Sequence, residues 1–313
     1  MILSLVLFVI GLGLVISFAE QLVKGAIGAS LGFGISPFLV SVIFIGFDPE
    51  NLAVGAVGAV EEVAGIALGS IIGAAMVAVA LAFGITALCA PMVFAQAPKQ
   101  VLAVPILAGF LLGALCLDGQ LSRGDGAILL LGFVLAVVYL VRLSKRGLDI
   151  RPTGEVAETL EEREARDKWR SLAQLALSLV AIVVGSEMLV ASAKTIIANL
   201  GLSDTVFGMT ILALLVSIEE LARELPAALQ GRPEISFGNV VGSILAFFLC
   251  NAGIIAMVQP VPVSDHVLKF YLPLCLLTII VVSLFMLRKQ MPRWAGAVLV
   301  GFYLLFVAGA YIA

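Results

Sequence analysis

The chain has 313 residues, of which 62% are hydrophobic and 12% charged, with a formal net charge of −3. Soluble chains are nearer half apolar and a quarter charged, so this composition excludes an ordinary soluble enzyme or a nucleic-acid-binding protein and predicts a multi-pass protein of the lipid bilayer. The four cysteines, Cys89, Cys116, Cys250 and Cys275, lack metal-ligand spacing and read as small apolar filler, so no resident cofactor is expected.

The start, Met1-Ile2-Leu3-Ser4, lacks the basic segment of a cleaved signal, and the apolar run there reads as a first span, about residues 2–27. Crossing a bilayer takes about 20 apolar residues. Further candidate spans follow at about 36–59, 64–88, 101–117, 126–142, 171–197, 205–229, 234–258, 269–287 and 294–312. Between the fifth and sixth lies the polar stretch Ser144–Arg170, whose second half, Glu155–Trp169, reads as an exposed amphipathic helix in a solvated linker. The predicted organisation is a five-helix half at 1–142, a cytoplasmic linker at 143–170 and a second five-helix half at 171–313. Placing the N-terminus outside puts fourteen of the eighteen lysines and arginines on the inner side, so both termini are expected outside a plasma membrane.

A shift of 169 residues lays Leu31–Ala87 onto Leu200–Ala256 without a gap, with 13 identities in 57 positions. The count alone is weak, but Gly69, Gly73 and Gly84 fall on Gly238, Gly242 and Gly253, and Glu50 falls on Glu219. With five spans in each half, the second half must be inserted upside down relative to the first. The fold class expected is an all-α membrane protein of ten helices in two inverted repeats, the sequence pattern of a secondary transporter.

Each repeat carries acids where a charge is costly. A charge near the bilayer centre costs roughly 2.5–3.5 kcal/mol on insertion scales, so such residues line ion or proton paths. The first repeat reads Gly46-Phe47-Asp48-Pro49-Glu50-Asn51, in which a proline inside the span is expected to break the helix and free carbonyls beside three oxygen donors. The second reads Ser217-Ile218-Glu219-Glu220-Leu221-Ala222-Arg223-Glu224. On a helix Glu220 and Glu224 lie one turn apart, and Glu219 lies over Arg223. Two carboxylates that close repel, so a cation sits between them or one holds a proton. An internal ion-pair cluster around Arg223 is the structural alternative, yet it leaves the acids in excess. Asn239 and Ser243, in Gly238-Asn239-Val240-Val241-Gly242-Ser243, add polar oxygens on the following helix. Hard oxygen donors without a His or Cys cluster suit calcium, magnesium, sodium or manganese rather than zinc or copper. His266 reads as an exposed residue of an outer loop.

These motifs resemble the calcium:cation antiporter superfamily, whose repeats carry a G-[TN]-[SA]-x-P-E-like element on one helix and a G-N-x-x-G-S-like element on the next. The second repeat matches through Ser217 to Ala222 and Gly238 to Ser243; the first matches through Gly46, Pro49-Glu50 and Gly69-Ser70-Ile71-Ile72-Gly73. Phe47 and Asp48 stand where that family places Ser or Thr, and Glu219 stands where its second proline would be. Ala78 and Phe247 occupy the places where sodium/calcium exchangers add Asn or Asp. The gap-free repeat pairs Glu50 with Glu219, whereas the family spacing pairs it with Glu220.

The resemblance implies a secondary antiporter exporting calcium or another divalent cation against sodium or protons, by alternating access at a midplane site. The expected ligands are Glu50 and Glu220, with Glu219, Asp48, Asn51, Ser217, Glu224, Asn239 and Ser243 around them. Divalent and monovalent cations are the expected partners, with no obligatory protein partner. A cation channel is the alternative, since acidic rings also select cations. An intramembrane enzyme is disfavoured: Asp48 is the one aspartate well inside a predicted span, and no HExxH or Ser/His arrangement occurs.

Overall fold

A computed structural model of the chain describes residues 1–33, 48–94, 97–144 and 168–309. The linker helix expected at Glu155–Trp169, apart from its last two residues, and the first part of the span expected at 36–59 lie outside them. The described residues form eleven helical segments: α1 (Ile2–Gly32), α2 (Pro49–Val60), α3 (Ala64–Cys89), α4 (Lys99–Leu115), α5 (Arg123–Ser144), α6 (Lys168–Leu200), α7 (Asp204–Val216), α8 (Glu219–Leu229), α9 (Pro233–Val258), α10 (Val267–Leu287) and α11 (Arg293–Gly309). Six of them are long and apolar enough to cross a membrane, and α7 with α8 make a seventh if taken as one broken span. The segments expected at 101–117 and 294–312 are helical as α4 and α11, each of 17 residues and shorter than those six.

Burial divides the helices into two classes. α3 and α9 are buried along almost their whole length, whereas α1, α5 and α6 expose rows of large apolar side chains such as Val9, Leu131, Leu135, Leu177 and Val180. Such rows fit hydrocarbon rather than water. α1 and α6 pack along each other at one side, where Gln174 donates to Gln21 Oε1 at 2.7 Å. α3 crosses α7 so closely that a Cβ on Gly208 would stand 2.0 Å from the Gly65 carbonyl oxygen, which only glycine allows. Widened π-helical turns occur at Gly69–Gly73, Val77–Ala82, Phe207–Leu212 and Ala246–Asn251. Turns of this kind gather at functional sites.

The shift of 169 residues recurs in the conformation. It carries the π-turn 77–82 onto 246–251, the α-helical segment 83–89 onto 252–258, and strand β1 (Met92–Val93) onto β3 (Val261–Pro262). The other strands, β2 (Gln120–Leu121) and β4 (Gln290–Met291), are 170 residues apart. β1 pairs with β4 and β2 with β3, both antiparallel, so each half's first strand joins the other half's second. The glycine contacts follow the same exchange: a Cβ on Gly84 would approach the Gly296 carbonyl at 3.1 Å, and one on Gly126 the Gly253 carbonyl at 2.8 Å.

The structure refines three local expectations. Pro49 is the first residue of α2, with Asp48, in non-helical geometry, as its cap; the part of the expected span before it, 36–47, lies outside the described residues. At that position the missing N–H is one a helix start leaves unpaired in any case. The span expected at 205–229 is broken, with a bend of 47° between α7 and α8. There Ser217 leaves helical geometry without a proline. His266 is also not simply exposed: its ring stacks on Phe270 and meets Tyr271 edge-on.

Candidate cation site

Both α2 and α8 begin inside the protein with acids in their first turn, Glu50 on one and Glu219 and Glu220 on the other. A helix N-terminus carries a partial positive charge from its unpaired N–H groups and favours carboxylates there. Glu50, Glu220 and Glu224 are at most 1% exposed, as are Asp48, Asn51 and Ser217.

Asn51 ties the two helix starts together. Its backbone N–H donates to Asp48 Oδ1 at 2.9 Å, and its side-chain amide donates to Asp48 Oδ2 and to Ser217 Oγ, each at 2.9 Å. Ser217 lies at the α7–α8 break, so the bridge spans the two halves of the chain. Asp48, Glu50 and Glu219 each bring a carboxylate oxygen within 4.8 Å of the other two.

A second group lies against α9. Asn239 donates one amide proton to Glu220 Oε2 at 2.6 Å and another to Glu224 Oε1 at 3.0 Å. Ser243 Oγ donates to Glu220 Oε1 at 3.2 Å, and Ser236 Oγ to the Glu224 carbonyl at 3.1 Å. Arg223 stands between the two groups. Its guanidinium is 2.6 Å from Glu219, 3.7 Å from Glu50 and 3.8 Å from Glu220.

All nine residues expected at the site therefore lie in this connected cluster, whereas Gly46 and Phe47 fall outside the described residues. Two features go beyond the sequence expectation. Arg223 reaches Glu50 of the first repeat as well as Glu219 and Glu220, so the charges around it come from both halves of the chain. Asn251, fully buried, donates weakly to the Asp48 carbonyl at 3.4 Å. Its signal is present in the chain: an amide in an apolar run, eight residues beyond Ser243 and so two turns along that face of α9. Ser70, the first-repeat counterpart of Asn239, instead donates to Ala67 O of its own helix at 2.8 Å.

The cluster holds five carboxylates against one guanidinium. Two like charges 4 Å apart repel by about 4 kcal/mol at an effective dielectric of 20, so further positive charge is needed when the acids are ionised. Acceptors for such charge are present. Both Glu50 oxygens, Glu224 Oε2, Asn51 Oδ1 and Asn251 Oδ1 are buried without a hydrogen-bond partner among the described residues. An unpaired buried carboxylate is expensive, and a hard cation coordinated by these oxygens relieves it.

Comparison with known proteins gives a consistent picture. The family profile described as sodium/calcium exchanger protein matches residues 3–142 and 170–312. The chain is 28% identical to the inner membrane protein YrbG of Escherichia coli over 99% of this chain and 98% of that protein. It is 29% identical to the putative antiporter CaxA of Alkalimonas amylolytica, over 83% of this chain and 82% of that one. The sodium/calcium exchanger MaX1 of Methanosarcina acetivorans is 32% identical over 48% of this chain and 42% of its own length. Among solved structures, the sodium-calcium exchanger NCX_Mj superimposes with a TM-score of 0.63 over 98% of both chains at 23% identity, a likeness of fold.

Proposed function

The chain belongs to the sodium/calcium exchanger protein family, and on that premise we propose that it exports calcium or another divalent cation in exchange for sodium or protons. It is a multi-pass membrane transporter and not an enzyme, and cation/calcium antiport is the activity of its class. The finer reading concerns which residues bind and how exchange is enforced.

Glu50 and Glu220 are the principal ligands in this reading. The observation that carries it is that each half brings a buried carboxylate from the first turn of a helix to the same guanidinium, Glu50 at 3.7 Å and Glu220 at 3.8 Å. A divalent cation needs both carboxylates ionised and turned toward it. Sodium ions or protons arriving from the other side neutralise the same oxygens and displace it. Because one set of oxygens serves both ions, the carrier exchanges rather than leaks. The matched conformations of the two halves suit alternation between an inward-open and an outward-open form, the halves being inverted copies in the membrane.

Flux of each divalent cation into proteoliposomes, driven separately by sodium and proton gradients, tests this reading. Uptake that depends on the counter-ion gradient supports exchange; uptake down the divalent gradient alone, at the same rate, supports a channel. Orientation is tested separately. With Cys89 replaced, a cysteine introduced as Gly154→Cys is shielded from an impermeant thiol reagent in sealed cells when the linker is cytoplasmic; labelling there reverses the proposed topology.

A further inference from the structure

We infer that Arg223 is a built-in monovalent cation of the transport site, held ready by Glu219 and withdrawn when the transported ion binds Glu50 and Glu220. The inference rests on the exchange reading above and deepens it.

The geometry separates two kinds of contact. Toward Glu219 the guanidinium makes a hydrogen-bonded ion pair at 2.6 Å, one helical turn back along α8. Toward Glu50 and Glu220 it stands at 3.7 and 3.8 Å, close enough to neutralise charge but beyond hydrogen-bond length. The two buried carboxylates thus receive positive charge without being locked to it. The Arg223 and Glu219 side chains are 18% and 21% exposed, whereas Glu50 and Glu220 are 1% exposed. Arg223 and Glu219 thus form the more open side of the cluster, toward which the arginine withdraws with its Glu219 partner. Glu219 is then the holder of the arginine more than a ligand of the transported ion.

A fixed charge in the site changes two measurable quantities. It competes with the divalent cation for Glu50 and Glu220, lowering affinity. It also does the work of one monovalent ion when the site is discharged, lowering by one the number of sodium ions or protons exchanged per divalent ion. Arginine suits the role because its charge persists at any physiological pH and its stem is long and flexible.

The test compares wild type with Arg223→Gln and Arg223→Lys in purified protein and in proteoliposomes. Arg223→Gln is expected to bind calcium about tenfold more tightly, the usual scale for removing one adjacent charge of the same sign. Its reversal potential is expected to report one more monovalent ion per calcium. Arg223→Lys, which keeps the charge, should match wild type in stoichiometry. Calcium binding no tighter in Arg223→Gln, or an unchanged stoichiometry, overturns the inference. If Arg223→Gln does not fold, the charge-balanced pair Glu219→Gln/Arg223→Gln is compared with Glu219→Gln alone, and tighter binding by the double variant is again required. Wild-type vesicles that carry no divalent cation strike the exchange reading instead, and the binding comparison still decides the role of Arg223.

Discussion

The two half-sites bury the same functional group and treat it in opposite ways. Glu220 receives hydrogen bonds from Asn239 and Ser243 on α9, whereas neither oxygen of Glu50 receives one among the described residues. The difference follows from the chain. At the 169-residue shift, Ser70 and Ala74 stand where Asn239 and Ser243 stand, and Ser70 turns back to its own helix. A carboxylate fixed by neutral donors is positioned whether or not a cation is near. One that relies on charge alone is stable only beside a cation. Glu220 is therefore the pre-set half of the site and Glu50 the half that responds to its occupant. An alternating carrier can exchange the conformations of its halves, but it cannot exchange these side chains.

The strongest way to break this contrast is to neutralise each carboxylate. Glu50→Gln and Glu220→Gln should each reduce divalent transport to below about 1% of wild type, since a divalent ion loses a charged ligand that costs on the order of 3–5 kcal/mol when removed from a buried pair. Their stabilities should diverge. Glu50→Gln removes a buried charge that accepts no hydrogen bond among the described residues, so its thermal midpoint should hold or rise. Glu220→Gln sets an amide against the donors of Asn239 and Ser243, and an unmet buried donor costs about 1–3 kcal/mol. Flux and a thermal unfolding scan read both effects; near-normal transport by both variants removes these glutamates from the site.

The next effect is that of the donors. Asn239→Leu keeps the bulk but removes the bonds to Glu220 and Glu224, and should weaken divalent binding by about 10- to 100-fold, the usual cost of losing a group that orients a ligand. A change below about twofold would mean that Glu220 is held by something else.

Glu219→Gln should be milder still. In part-exposed surroundings an ion pair is worth about 1 kcal/mol or less, so a loss of a few fold in divalent affinity is expected. A loss as deep as that of Glu220→Gln would make Glu219 a principal ligand and restore the pairing of Glu50 with Glu219 that the gap-free repeat suggests.

Much of the architecture was legible because a hydrophobic chain has few ways to satisfy its backbone in lipid. Runs of apolar residues mark α1, α3, α5, α6, α9 and α10 within a few residues of their observed ends. The cluster was legible for the same reason: acids in such runs have to meet one another or a cation. What the chain alone did not show was geometry set by neighbours. The break before Glu219 carries no proline, so no local residue announces it. Pro49, by contrast, announces an interruption of its span, and α2 does begin at it. The reach of Arg223 to Glu50, 173 positions away, depends on how α2 and α8 dock, and nothing in either segment read alone encodes that distance.

The smallest effect carries the sharpest test of the asymmetry. Ser70 is the counterpart of Asn239, is nearly buried, and lies so near α2 that a Cβ on Gly55 would stand 2.0 Å from its hydroxyl oxygen. That sets it against the helix whose first turn carries Glu50. Its hydroxyl nevertheless donates to Ala67 O at 2.8 Å, a local bond of the kind that contributes little and is replaceable. Ser70→Ala should therefore leave divalent affinity and turnover within about twofold of wild type, measured in the same vesicles as Asn239→Leu, because removing a satisfied local bond seldom costs more than a few tenths of a kcal/mol away from special features. A tenfold loss would mean that the hydroxyl leaves Ala67 and turns to the ion in the alternate form of the carrier. The two halves would then be functionally alike, and Glu50 would have a neutral donor after all.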